Sequence, residues 1–581
     1  MSINKLRDTS FLKKNLFLIV ILASLFLINS LKVFAVENPD AGSLERTLPQ
    51  MQQKLPEVIN QKKLIKDETD LKNNKGPTVS AKKFRFTGNL LINSEILLEV
   101  IQPLNKTALS IEDLEKITQA IGEFYRKKGY WARAYLPEQN VQDDEIWIDI
   151  IEAKLGSIKI QTDEKNLRFS KERALSFIEQ GQKNGEPIKI LNLEQSTQQL
   201  DDVSGIKAAT VLARGENPSE TDVIVNVENT PLIQGNVRFD NYGTRSTGYN
   251  RGILALSLNS PLKMGEQFNL QYLKTRDIDY YSLGVAYPLT SAGSVISYIY
   301  TNMDYKLGHP LQSAKASGDS QSNIVSISKP LLKGFNSELK GSISYAHKNY
   351  FNKADVTTIS DKQIDALTFS GMFNHADNFL GGGLNLGSLS YVYGKLDLSR
   401  SADNKLTDST TAKTDGTFSK FGFNLTRIQQ LTQKNSLWLT ANGQYALNNL
   451  DSAEKMYLGG PSGIRAYPAA EANGDHALII NAELRHFLFE KFQATVFYDW
   501  GRVHLNRDLW TDWNSSNTST PNQYELKGAG VGFIYNPFDS YQLVGNLAHR
   551  VGKNPGADAS GNESDGTRNH LNGWISLSKT F

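Results

Sequence analysis

The side chains able to do chemistry cluster late in the chain. A glycine-rich turn, Leu458-Gly459-Gly460-Pro461-Ser462-Gly463-Ile464-Arg465-Ala466-Tyr467-Pro468, delivers one arginine. Downstream, Phe497-Tyr498-Asp499-Trp500-Gly501 sets one carboxylate in an alternating run. An arginine can grip a carboxylate through two parallel hydrogen bonds, which gives specificity as well as energy. Taken singly, Arg465 reads as a solvated loop cation and Asp499 as one more polar strand residue. Catalytic chemistry finds less support. Without cysteine there is no thiol nucleophile, disulfide or thiolate metal site. The 8 histidines form no H-E-x-x-H or close pair, so zinc chemistry lacks ligands. The turn misses the G-x-S-x-G spacing of a serine nucleophile. Gly528, Gly530 and Gly532 alternate within a strand, where a phosphate loop would open a helix. No enzyme and no cofactor is expected.

Whatever these residues do depends on the elements that carry them. The chain has 581 residues, 63 Lys+Arg against 61 Asp+Glu, and a formal charge of +2. Nothing in that balance attracts nucleic acid to the chain as a whole. With 23 Tyr, 26 Phe and 44 Gly in a chain of mean hydropathy −0.39, the composition suits many alternating strands. After Pro231 helical periodicity stops. Sixteen segments of alternating residues follow, from 232–243 to 572–581, separated by Gly, Asn, Asp and Ser. Ile480, Ala482 and Leu484, for example, alternate with Asn481, Glu483 and Arg485. Their number and evenness predict a closed antiparallel barrel over 231–581, apolar toward lipid and polar toward a lumen.

The N-terminus supplies an address. Lys5, Arg7, Lys13 and Lys14 precede an apolar run from Leu16 to Ile28, and Val33-Phe34-Ala35 offers small residues for cleavage. This reads as a secretory signal peptide over 1–35. Residues 36–80 are a polar lead-in with one short amphipathic helix and a linker. Leu44, Leu48, Met51 and Leu55 fall at helical spacing, but Pro49 interrupts them.

Two α/β modules follow, over 81–154 and 155–230, each in the order β-α-α-β-β. In the first, Ser110 and Asp113 form a capping-box variant, and Ile111, Leu114, Ile117, Ile121 and Phe124 share a face. Gly129 ends that helix. The runs Phe84-Arg85-Phe86-Thr87-Gly88-Asn89 and Tyr125-Arg126-Lys127-Lys128-Gly129-Tyr130 resemble the signature of polypeptide-transport-associated (POTRA) domains. Gly88 and Gly129 suit tight exits, while Tyr125 and Tyr130 can pack a helix on a sheet.

The arginine turn in turn resembles the sixth extracellular loop of two-partner-secretion translocators (TpsB) and related assembly barrels. There an Arg-Gly-Tyr usually follows the glycines, so Ala466 stands in place of a glycine. Phe497-x-Asp499-x-Gly501 resembles the family's strand motif, and the terminal Phe581 resembles the assembly signal of outer-membrane barrels. The resemblance implies a loop folded into the lumen, with Gly459, Gly460, Gly463, Arg465 and Tyr467 on the loop. Asp499 and Gly501 would be their partners on the wall. It also implies a Gram-negative outer membrane, POTRA domains in the periplasm, and export of a specific large exoprotein of haemolysin or adhesin type. That partner (TpsA type) would be unfolded in the periplasm. It would first dock around 191–200 and 206–212, by β-augmentation or groove binding. Further implied partners are outer-membrane lipid and, during biogenesis, the barrel-assembly machinery. In some members an N-terminal helix plugs the resting pore, and 43–55 is the candidate segment. A barrel-assembly factor is the alternative, although its members commonly carry three or more POTRA repeats. A passive porin is the remoter one.

Overall fold

The computed structural model describes residues 39–49, 79–80 and 83–581, apart from 107, 140–143, 164, 218, 335 and 515–518. The expected signal peptide lies outside the described residues, as do Met51 and Leu55. The first described element is a helix, α1 (Ala41–Thr47), shorter and earlier than the 43–55 expected. Asp40 caps its start reciprocally with Ser43, and Leu48 already has extended backbone, as the residue before a proline prefers.

The first module runs Lys83–Thr87, α2 (Ser94–Ile101), α3 (Ile111–Lys127), Ala132–Tyr135 and Glu145–Glu152. Its last strand is central, parallel to the first and antiparallel to the second. Ser110 and Asp113 exchange cap bonds of 3.1 Å each way at the start of α3. Leu114, Ile117, Ile121 and Tyr125 bury its inner stripe, and Gly129 closes the exit at φ 87°. The second module repeats the plan with Lys154–Gln161, α4 (Lys171–Gly181), α5 (Ile190–Asp201), Ile206–Arg214 and Glu220–Asn229. Its sheet has the same order, which leaves Ile206–Arg214 at an edge.

The modules are sewn together through backbone. Ile190 N donates to Gly129 O at 2.9 Å, and Trp131 N donates to Ile188 O at 3.1 Å. The second module is then bolted to one end of the barrel. Arg173 donates to Met264 O at 2.7 Å and Pro288 O at 3.0 Å, so one guanidinium spans two turns. Ser260 Oγ donates to Arg168 O at 2.7 Å, and Lys333 pairs with Asp202.

Sixteen antiparallel strands close the barrel, from Ile233–Asp240 to Leu571–Thr580. The closing register runs from Asp240↔Ser576 to Asn236↔Thr580, and Gly235 and Phe581 exchange backbone bonds of 2.8 and 2.9 Å. Outward and inward residues alternate: Val496 and Tyr498 are exposed, whereas Phe497 and Asp499 are buried. The expected polar lumen holds only in part. Leu273, Tyr280, Met303, Tyr305, Tyr350 and Ile364 also point inward, forming one apolar cluster with Ala41, Leu44 and Leu48. The lumen is packed rather than simply wet, because α1 lies inside it.

Candidate lumen site

The turn between Asn435–Ala446 and His476–Phe489 folds back into the barrel and packs on the inner face of the last strands. Its tightness follows from its glycines. A Cβ at Gly463 would lie 2.0 Å from Leu458 O, one at Gly459 would lie 2.4 Å from Pro468 O, and Gly460 adopts φ 108°. Leu458, Ile464, Ala466 and Tyr467 are fully buried against Phe497, Val503 and Leu526.

Arg465 is anchored from several directions. Its Nε and Nη2 donate to Asp499 at 3.0 and 2.8 Å, and its backbone N also donates to Asp499 Oδ2 at 3.0 Å. Nη1 donates to Glu483 at 2.8 Å, and the guanidinium lies 3.3 Å from the Phe497 ring centre. Glu483 in turn accepts from Arg485 at 2.6 Å, and Arg485 stacks over Trp438 at 3.7 Å. Two cations and two carboxylates thus alternate from loop tip to wall, so neither buried acid lacks a counter-charge. The loop backbone is satisfied as carefully. Gly463 O accepts from Asn481 at 2.9 Å, Arg465 O from Trp574 at 2.7 Å, and Ala466 O from Asn572 at 2.6 Å.

Ala466, where the family usually has glycine, does not enter the left-handed region. Its methyl group fills the space left by Gly528, where an added Cβ would sit 2.6 Å from it. Gly501 faces the loop likewise, with Ile464 Cδ1 2.7 Å from where its Cβ would be.

Helix α1 occupies the other side of the lumen. Lys362 Nζ donates to Asp40 at 2.7 Å and to both Asp451 oxygens at 2.7 and 2.9 Å, so one wall lysine clamps helix and loop together. Ser452 Oγ donates to Asp40 at 2.8 Å, and Asn352 Oδ1 accepts from Ala41 N at 2.7 Å. At Gly42 the helix meets Ala453 so closely that a Cβ would come 2.5 Å from its methyl group.

Sequence reading missed Glu483, Asn481, Asn572, Trp574, Asp40, Lys362 and Asp451. A polar residue inside an alternating strand is the only signal most of them give, and many residues share it. The POTRA-signature residues take no part in the lumen. Gly88, at φ 79°, leaves room for Ile150 O, and Tyr125 donates to Glu152 at 2.8 Å. Tyr130 bridges to Lys189 of the second module. Among the described residues no group of acids and histidines is placed to hold a metal ion, and no helix is long and apolar enough to cross a membrane.

A closed barrel with a lumen-seated arginine loop and two α/β modules at one mouth is the architecture of a TpsB-type POTRA-plus-barrel translocator. The profile of the haemolysin secretion/activation proteins ShlB/FhaC/HecB matches residues 219–533, and that of the ShlB-type POTRA domain matches 79–153. The chain belongs to the ShlB/FhaC/HecB family. It is similar to the heme/hemopexin transporter protein HuxB of Haemophilus influenzae strain 86-028NP, at 25% identity over 96% of this chain and 98% of that one. It is also similar to the outer membrane transporter CdiB of Escherichia coli strain 536, at 22% identity over 74% of each. A solved CdiB from Escherichia coli shares the fold at TM-score 0.63 and 18% identity, covering 100% of both chains. The protein is accordingly an outer-membrane β-barrel with its POTRA domains in the periplasm. The family is one of transporters, not of enzymes.

Proposed function

We propose that this protein exports one large exoprotein, of haemolysin or adhesin kind, from the periplasm to the cell surface or the medium. The observation that carries the reading is a lumen filled by two separate elements, α1 and the arginine-seated loop. A passive porin needs neither. The exoprotein arrives unfolded and docks on the second module around 191–200 and 206–212, where Leu191 and Val211 are exposed. Among the described residues no strand pairs with the outer edge of Ile206–Arg214, which beyond Ala208, whose N–H donates to Asp201 Oδ1 at 2.7 Å, offers backbone to an extended chain, the requirement for β-augmentation. Helix α1 then leaves. With only seven residues it is too short to persist in water, so release and melting are one event. Arg465 and its carboxylates keep the loop's buried tip in register while the chain passes. Folding outside the cell drives transport, and no nucleotide is required. The barrel-assembly machinery inserts the protein itself.

The test is a mass-spectrometric comparison of supernatant and outer membrane from cells with and without the protein. Loss of one large supernatant protein, with other barrels unchanged, is the expected result and names the cargo. General depletion of barrels would make the protein an assembly factor instead. No change in either fraction would overturn export.

A further inference from the structure

We infer that the outer face of the barrel holds a dedicated seat for one phospholipid acyl chain of the periplasmic leaflet, with Lys329 meeting the phosphate. The seat lies on five adjacent strands: Ala316–Lys333, Ser337–Ala354, Thr357–Asp377, Gly383–Asp397 and Gly416–Gln430. One lipid-facing row across them is built of large side chains, Ile327, Ile343, Phe369, Tyr391 and Phe421. The next row toward the periplasm begins Lys329, Gly341, Gly371, Leu389. Two glycines side by side thus interrupt an otherwise bulky wall and leave a groove of about 720 Å³.

The groove is shaped on both sides. Leu331, beside the register shift at Pro330/Leu332, leans over Gly341, where an added Cβ would come 3.0 Å from its Cδ1. Gly371 forms the open floor, since a Cβ there meets nothing within 4 Å. The volume falls within the roughly 300–1,000 Å³ of ordinary small-molecule sites, and the lining is almost wholly apolar.

The occupant follows from place and charge. This face lies in the membrane, where water cannot fill an apolar groove and a hydrocarbon chain can. The strands turn at Lys333, which pairs with Asp202 of the second module, so the groove opens toward the periplasmic side. Lys329 is exposed in the same row as the glycine pair, and among the described residues no carboxylate pairs with it. A lysine in that position extends its ammonium toward the interface, where leaflet phosphates lie.

The experiment is native mass spectrometry of the full-length protein after extended detergent washing, followed by titration with phosphatidylglycerol. One retained phospholipid per barrel is expected. Gly371→Leu fills the floor and should weaken phosphatidylglycerol binding about tenfold, the worth of about two buried methylenes. Lys329→Gln should weaken phosphatidylglycerol but not diacylglycerol, which separates the phosphate contact from the chain contact. Heat-modifiable migration shows whether each barrel has assembled. If Gly371→Leu does not assemble, Leu389→Ala, which removes one wall, should weaken binding in its place. Equal binding by wild type and the groove variants, or no retained lipid in the wild type, would overturn the proposal. So would efficient cross-linking of Gly371→Cys barrels to one another, because a second copy would then cover this face.

Discussion

At the scale of single residues, the energetics of Arg465 rest on what is left behind when it is lost. Removing one member of a buried ion pair leaves the other charged and unpaired, at a cost of about 3–5 kcal/mol. Arg465→Ala would strand the fully buried Asp499, whereas Glu483 would keep Arg485 as its counter-charge at 2.6 Å. We expect the barrel to assemble, since strand pairing does not involve the guanidinium, but the loop to unseat and export to fail. Secretion assays on variants that keep heat-modifiable migration check this, and unchanged export would remove Arg465 from the mechanism. Gly528→Leu should give the same defect without touching a charge, because it drives a side chain into the methyl group of Ala466. If Gly528→Leu is silent, the loop does not depend on that contact.

At the scale of elements, α1 is held by contacts rather than by its own propensity. Burying each of Leu44 and Leu48 is worth about 1.5–3 kcal/mol. Lys362 adds a three-way clamp whose loss would leave Asp40 facing Asp451. Lys362→Ala is therefore expected to raise the open fraction of single pores in planar bilayers. Gly42→Leu should do the same by blocking the approach to Ala453. Conductance traces matching wild type for both would show that α1 does not close the pore.

At the scale of the whole molecule, the second module meets the barrel through few polar contacts, so its seat should be tunable. Arg173→Ala removes the bond to each of two turns and should speed protease cleavage between the module and the first barrel strand. Titration should matter as well. Burial alone pushes the Glu194 carboxyl, on α5, up to about 7 from an ordinary 4.5. A folded value above the unfolded one makes its contribution to stability complete below about pH 4.5 and lost as pH rises through 7. Glu194→Gln should therefore raise the melting temperature slightly near pH 8 and leave it unchanged near pH 4. The side chain is only half-buried, so the shift should be small. An equal shift at both values would assign the effect to packing.

The sequence by itself determined the elements. Alternation of period 2 is local and repeats many times, which is why sixteen strands could be counted and each placed within a few residues. Capping at Ser110 and the glycine exit at Gly129 are equally local, and so is the arginine turn with its motif on a later strand. Only the tertiary structure decided what fills the lumen. Inward-facing Leu273, Met303 and Ile364 break the polar-inside expectation only once α1 is seen against them. No spacing rule ties Asp40 to Lys362, 322 residues away, or Arg465 O to Trp574, 109 residues away. Barrel closure converts such separations into contacts, because it brings the faces of distant strands around one axis. Pattern along the chain therefore specifies the wall, whereas partnership across the lumen is set by a register that accumulates around the whole barrel.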